Sequence, residues 1–351
     1  MRRRSIISSL VLLALALPML SLGPSMDADG GGNHQISNAK FGVSGGNVND
    51  ASRSFCCSGT LGSLVTDGAH LFILSNNHVL ARADQAVAGE DISQPGLIDN
   101  GCRIPPIVAD FTSAPALGSN VDAAIAQLRP GAMNTTGDIE DIGTISSVVK
   151  APAVGLSVAK SGRTTGFTTG TIGSINASLS VQYQKGCGKG KKFTVSYTNQ
   201  VVINSNTFSA GGDSGSLIVS NTGCHQPVAL LFAGSTTTTI GNPIGEVLSK
   251  LGGSFSFVGN TCTALTLDEP LVSGLSAEAI LFATAAMRDR EDELMSLPGV
   301  LGVGVGALET DSSRAAIVVY VDQTAAVRPN LPRRINGVRV RRVYTEPFVA
   351  Y

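Results

Sequence analysis

The residue best placed to do chemistry is Ser214, in Gly211-Gly212-Asp213-Ser214-Gly215-Ser216-Leu217, where glycines flank a serine that runs directly into Leu217-Ile218-Val219. A serine hydroxyl is a weak nucleophile at its free pKa. Attack on a carbonyl therefore needs a nearby base, and backbone N–H donors for the oxyanion that forms. Glycines on both sides permit the tight turn that aims such donors at one point. The same composition makes plain turns, so this window alone reads equally either way. A Gly-x-Ser-x-Gly elbow leading into a helix is excluded, because position 216 is Ser and the apolar run that follows, closed by Asn221-Thr222-Gly223, reads as a strand.

A base is available at His78, in Ser75-Asn76-Asn77-His78-Val79-Leu80 at the end of an apolar run. A histidine after a strand is more commonly a hydrogen-bonded structural group. His34 in a polar arm, His70 opening a strand and His225 in a polar turn take that reading. An acid heads a small-residue, apolar strand at Ser119-Asn120-Val121-Asp122-Ala123-Ala124-Ile125-Ala126-Gln127-Leu128. It could simply close a turn. If buried, its carboxylate needs a partner, and a histidine whose Nδ1–H points at it would offset the cost. The order His78, Asp122, Ser214 is that of the chymotrypsin-type triad, and differs from the subtilisin and α/β-hydrolase orders.

The flanking residues carry a resemblance. Ser75-Asn76-Asn77-His78-Val79-Leu80 resembles the histidine motif of the trypsin-like (chymotrypsin-fold) serine peptidases, Val121-Asp122-Ala123-Ala124-Ile125 their aspartate motif, and Gly212-Asp213-Ser214-Gly215 their nucleophile motif. The segment 161–172, Ser-Gly-Arg-Thr-Thr-Gly-Phe-Thr-Thr-Gly-Thr-Ile, is similar to the opening of the second barrel in the bacterial streptogrisin-like members. The resemblance covers roughly residues 55 to 260. It implies a mainly β fold of two antiparallel β-barrels with the active site between them, His78 and Asp122 coming from the first and Ser214 from the second. By the same resemblance Ser214 attacks, His78 is the general base and acid, Asp122 holds the imidazole, and the N–H groups of Gly212 and Ser214 form the oxyanion hole. Substrate-binding positions carried over are Phe208, in Thr207-Phe208-Ser209 at the pocket base, and Ala233, Gly234 and Ser235 along a pocket wall around Phe232. No acid stands there to receive Arg or Lys, which favours uncharged side chains, although the Ser and Thr hydroxyls could hydrogen-bond a carboxylate.

One departure concerns Asp213. In zymogen-activated members this aspartate pairs with a new N-terminal amine, but no Ile-Val-Gly-Gly sequence is present, and Phe41-Gly42-Val43-Ser44 after Lys40 matches poorly. Asp213 is expected to pair internally, with an arginine such as Arg163, and to need no activation of that kind.

The elements that must position these groups are short strands. Charged residues make up 15%, there are 41 glycines and no Trp, a mixture suited to many strands with tight turns. Thr66-Asp67-Gly68 between two apolar runs predicts a hairpin. Strand runs continue to about Lys150, a joint follows at Ala151-Pro152, and strands resume, including 195–202, 217–219 and 228–232. The net charge of −1 gives no reason to expect a nucleic-acid or anionic-membrane partner. Arg2-Arg3-Arg4 ahead of an apolar run from Ile6 to Leu20 predicts a secretory signal peptide over residues 1–25, and membrane attachment only if that segment stays uncleaved. Residues 26–50 are expected as a flexible arm or propeptide, 51–150 as the first barrel and 151–266 as the second.

Export makes disulfides the expected state of Cys56, Cys57, Cys102, Cys187, Cys224 and Cys262. One of the adjacent pair is expected to join Cys102, and Cys187 to join Cys224. No C-x-x-C pair exists, so neither a metal nor any other cofactor is expected.

From 267 to 351 the texture changes to a small α+β module. A helix is predicted from a Ser276 cap, with Ile280, Ala283, Met287 and Leu294 at helical spacing up to Pro298, then strands at 300–305, 315–321 and 338–343. Gly302-Val303-Gly304-Val305-Gly306 fits a strand with one uncluttered face better than a phosphate loop, since no helix follows it. The module is a candidate to dock on the preceding region as a regulatory or foldase element. The composite expectation is a secreted serine endopeptidase acting on protein or peptide substrates. The alternatives are a non-catalytic protein-binding module on the same scaffold, and esterase or acyl-transfer chemistry by the same triad.

Overall fold

The computed structural model describes residues 39–188, 190–252, 255–262 and 274–350. The expected signal peptide, and residues 26–38 of the expected arm, lie outside these. The first unit contains β1 (Val43–Asn47), β2 (Gly59–Leu61), β3 (Ser63–Thr66), β4 (Leu71–Ser75), a one-turn helix α1 (Asn77–Leu80), β5 (Asp91–Ser93), β6 (Ile107–Ser113) and β7 (Ala124–Leu128). The second contains β8 (Ser157–Lys160), β9 (Thr168–Gln184), β10 (Lys192–Asn204), β11 (Leu217–Ser220), β12 (Pro227–Ser235), β13 (Thr238–Pro243), α2 (Ile244–Lys250) and β14 (Ser256–Phe257). The C-terminal region adds α3 (Ala277–Arg288), α4 (Glu291–Ser296), β15 (Val300–Leu308), β16 (Asp311–Asp322), β17 (Arg334–Ile335), β18 (Val338–Thr345) and β19 (Val349–Ala350).

The fold is mainly β, in two large sheets. An eight-stranded sheet runs β14-β3-β4-β7-β6-β5-β1-β2, and the second begins β10-β13-β12-β11-β8-β9 before continuing into the C-terminal strands. The hairpin expected at Asp67-Gly68 joins β3 to β4, with Val65 opposite Phe72. Gly68 takes φ +93°, and Asp67 accepts from the N–H groups of Ala69 and His70. The chain crosses back late: β14 pairs with β3, so the last strand of the second unit seals an edge of the first sheet.

The first sheet begins earlier than expected. Residues 43–47, placed by composition in the arm, form β1 between β2 and β5. Phe41 and Val43 are fully buried. Glycine-rich composition hid them, yet Gly45 packs under Leu61, where a Cβ would lie 2.3 Å from Cγ. The close approach is what requires the glycine.

The disulfides correct one expected pairing. Cys56 joins Cys102 as expected, but Cys187 joins Cys57 and Cys224 joins Cys262. The adjacent cysteines split their partners: Cys56 closes a loop of the first unit, while Cys57 reaches the β9–β10 turn of the second.

The C-terminal region has the predicted α+β character, with Ser276 capping α3 through the Ala279 N–H. The single helix expected to reach Pro298 is broken at Asp289-Arg290 into α3 and α4. Its strands continue the second sheet rather than forming a separate one. β15 lies antiparallel to β9, with Gly302 opposite Leu179 and Gly306 opposite Ser174, and β16 follows, then β18 parallel to β16. The glycines of β15 leave room for its edge-to-edge neighbour β9, where a Cβ at Gly302 would sit 2.9 Å from that of Leu179 and one at Gly304 3.1 Å from that of Ala177. On the other face α3 and α4 bury Ala283, Met287 and Leu294 against Val303, Ile317 and Val319.

Candidate active site

Strand register brings the acid to the base. Leu74 and Ser75 at the end of β4 pair with Ile125 and Ala124 at the start of β7. Asp122, two residues before β7, therefore lies beside the turn of α1 that carries His78. The imidazole Nδ1 is 2.6 Å from Asp122 Oδ2, and the His78 backbone N–H donates to Oδ1 at 3.1 Å. Asp122 is fully buried, and its own backbone is fixed by the side chains of Asn242 and Asn76.

A further donor to this carboxylate comes from the second sheet. Tyr183 on β9 donates its hydroxyl to Asp122 Oδ2 at 2.9 Å, and Tyr197 on β10 bonds the same hydroxyl at 2.7 Å. Burial, then the nearby Asp122 charge, push the Tyr183 phenol well above its ordinary pKa, so it stays a donor. Sequence reasoning missed Tyr183. The available signal was alternation, since Leu179, Val181 and Tyr183 all point inward and a buried phenol needs a partner.

Ser214 lies in the turn before β11 and is fully buried. Thr60 on β2 staples that turn to the first sheet: its N–H donates to Ser214 O at 2.8 Å and its hydroxyl to Gly212 O at 2.9 Å. Gly215 takes φ +95°, and a Cβ there would fall 2.2 Å from Thr60 O and from Ser75 Oγ. The glycine is thus required by conformation and by contact together. Gly59 is required by contact alone, since a Cβ there would meet Val79 Cγ2 at 2.6 Å and Ser214 O at 3.0 Å. The serine turn and the histidine turn therefore meet over one glycine.

Ser214 Oγ donates to Phe232 O at 3.3 Å. The N–H groups of Asp213 and Gly215 are taken by Ala210 O and Leu231 O. Those of Gly212 and Ser214 have no acceptor among the described residues.

Asp213 pairs internally, but not with Arg163. Its partner is Lys160 at the end of β8, with Nζ 3.6 Å from Oδ2 and both side chains fully buried. The carboxylate also accepts from the N–H groups of Thr164, Thr165 and Ala210 and from the Thr165 hydroxyl. Desolvation, opposed by Asp213, holds the Lys160 ammonium below its ordinary pKa. Arg163 instead makes a two-pronged bond to Asp99 of the first unit, both contacts 2.6 Å. Lys160 was legible as a lone cation closing an apolar strand, and its burial marks it as paired.

The expected substrate-binding residues separate. Phe208 is fully buried in the core of the second sheet, its ring against Ile203 and facing Gly170, where a Cβ would lie 2.8 Å away. Its side chain therefore serves packing, while its carbonyl accepts from Thr168. Ala233, Gly234 and Ser235 lie at the end of β12.

A cavity of about 220 Å³ opens beside His78, lined also by Val79, Ser58, Arg82, Tyr183 and Asp50 among others. Burial raises the Asp50 carboxyl to about 6, against the opposing pull of Arg82 and His78. Among the described residues no group of three or more His, Cys, Asp or Glu side chains could hold a metal.

No protein-family model matches the sequence, and no curated protein does. Among solved structures the chain is similar to a glutamic-acid-specific serine protease reported to use a histidine triad in substrate binding, with 21% identity, TM-score 0.44, and coverage of 62% of this chain and 100% of that one. It is similar to Thermobifida fusca protease A at 20% identity and TM-score 0.43, covering 63% and 98%. Cellulomonas bogoriensis chymotrypsin matches at 20% and 0.42, covering 63% and 98%. These are bacterial chymotrypsin-fold serine proteases, the group that the motifs resemble.

Proposed function

We propose that this protein is an exported serine endopeptidase. Ser214 Oγ attacks the scissile carbonyl as His78 takes its proton. The proton then passes to the leaving amine as the C–N bond breaks, leaving an acyl-serine that water hydrolyses by the same base. Asp122 fixes the Nδ1–H tautomer of His78 and stabilises the imidazolium, and Tyr183 keeps that carboxylate aimed. The N–H groups of Gly212 and Ser214 receive the oxyanion, where one donor is typically worth about 10²–10³ in rate.

The observation that carries this reading is the bond from His78 Nδ1 to a fully buried Asp122 carboxylate that also takes the His78 backbone N–H. A carboxylate is buried at that cost only with committed partners, and these orient one imidazole. Three disulfides with no free cysteine among the described residues support an oxidising compartment, in line with the predicted signal peptide. Substrates are peptides or proteins, and no cofactor is used.

The test is labelling of the purified protein with a fluorophosphonate, the adduct being located by mass spectrometry, beside Ser214→Ala. Labelling at Ser214 that vanishes in the variant is expected. A folded wild-type chain that takes up no label would transfer the reading to a binding protein on this scaffold.

A further inference from the structure

The edge of β12 at Ala233 and Gly234, two of the carried-over substrate-binding positions, is already occupied. From Leu217 to Val219, β11 covers that edge, pairing with Leu230, Ala229 and Pro227. Beyond Leu231 the edge would be open, with β13 on the opposite side. β19 fills it, antiparallel, placing Ala350 opposite Ala233 and Val349 opposite Gly234. On its other side β19 meets β9, where the Gln182 N–H donates to Phe348 O at 2.9 Å.

The approach is pinned at several points. The Thr345 hydroxyl bonds Ser235 Oγ at 2.6 Å, and Thr236 donates to Glu346 at 3.0 Å. Phe348 is 1% exposed, edge-on to Tyr320 at 5.9 Å. Beyond it Val349 is exposed and Ala350 half-buried, and Ala350 lines the same cavity as His78. The segment thus runs as an extended strand from a buried anchor towards the triad.

We propose that Pro347–Ala350 is a built-in occupant of the peptide-binding edge, so that the chain restrains its own activity by presenting an extended segment where substrate main chain would add to β12. This rests on the peptidase reading above. Addition of a strand to an open sheet edge is driven by main-chain hydrogen bonds, and two peptides cannot use the same Ala233 and Gly234 groups. Because β15, β16 and β18 are built onto β9, the segment is held next to its site at an effective concentration of millimolar order. A substrate must displace it. The C-terminal module is then the platform that delivers the inhibitory strand.

Two variants test this: the chain ending at Thr345, and full-length Val349→Pro, which removes an N–H from the strand and forces its φ. Each is checked for folding by thermal melting, labelled with fluorophosphonate, and assayed on fluorescein-casein. Both are expected to hydrolyse casein about tenfold faster than the intact chain or more, and a synthetic Thr-Glu-Pro-Phe-Val-Ala peptide should raise KM of the truncated form without changing kcat. If Ser214 is labelled in every form but casein hydrolysis is the same in all, the self-restraint is overturned while the nucleophile stands. If no folded form is labelled, the peptidase reading fails and the proposal fails with it. If both variants lose their fold, the segment is a structural strand and the proposal is likewise overturned.

Discussion

Two buried aspartates flank the serine, and they are partnered in opposite ways. Asp213 is enclosed by three backbone N–H groups, a threonine hydroxyl and the Lys160 ammonium. Asp122 is held by one backbone N–H, a phenol and an imidazole. The Asp213 partners all belong to the second unit and knit segment 160–165 to the serine turn. The Asp122 partners come from both units and include an imidazole, whose ring nitrogens can both carry and release a proton. On the proposed peptidase reading the contrast separates an anchor from a working group: a carboxylate with fixed cationic and main-chain partners holds geometry, and one facing a histidine can answer a moving proton.

Three substitutions sharpen that contrast. Asp122→Asn should leave the fold intact, because an amide of the same size retains most of the packing, yet invert the hydrogen bond that sets the His78 tautomer. A fall in kcat of about 10⁴ is expected, read by steady-state kinetics with an unchanged melting curve. Equal losses of activity and of melting midpoint would make Asp122 an anchor like Asp213.

Lys160→Met should do the reverse. Removing one partner of a buried ion pair leaves an uncompensated charge and costs about 3–5 kcal/mol of stability, measurable by urea denaturation. At temperatures where the variant remains folded, fluorophosphonate labelling should fall far less than in Asp122→Asn. A stable variant with a disabled nucleophile would assign Lys160 to the chemistry instead.

Tyr183→Phe should give the smallest effect. It deletes one hydrogen bond to a charged group, worth about 1.5–3 kcal/mol, while the two His78 bonds to the carboxylate remain. We expect kcat to fall about tenfold with KM nearly constant. No change in kcat would show that the His78 contacts alone orient Asp122.

The candidate residues Ser214, His78 and Asp122 stood out in the sequence because each sits in a local pattern. The glycines around Ser214 reflect a turn whose φ and contacts exclude side chains, and Asp122 stands out as a carboxylate entering a run of Ala and Ile. The alternating strands, the Asp67-Gly68 hairpin and the Ser276 cap are likewise set by backbone periodicity and short-range hydrogen bonds. The Gly45–Leu61 packing escaped that reading, since a glycine-rich strand looks like an arm until the neighbour that needs the space is in place.

Tertiary structure decided everything that joins distant segments. Which cysteine meets Cys187, at a separation of 130 residues, depends on where the β9–β10 turn lies over the first unit, and no local signal encodes that. The choice of Lys160 over Arg163 as the partner of Asp213 turned on side-chain direction at the end of β8, with Asp99 claiming the arginine. Tyr183 reached Asp122 only because a long strand of one sheet passes behind the acid of the other. The last strand, Val349–Ala350, has little to bury by composition, and it is placed only by its pairing with the edge of β12. Sequence by itself determined the candidate reactive groups and the local turns that carry them, because backbone conformation is governed by near neighbours. The partners, the pairings and the strand that covers the β12 edge were settled by packing, because they depend on distances that exist only once the sheets have formed.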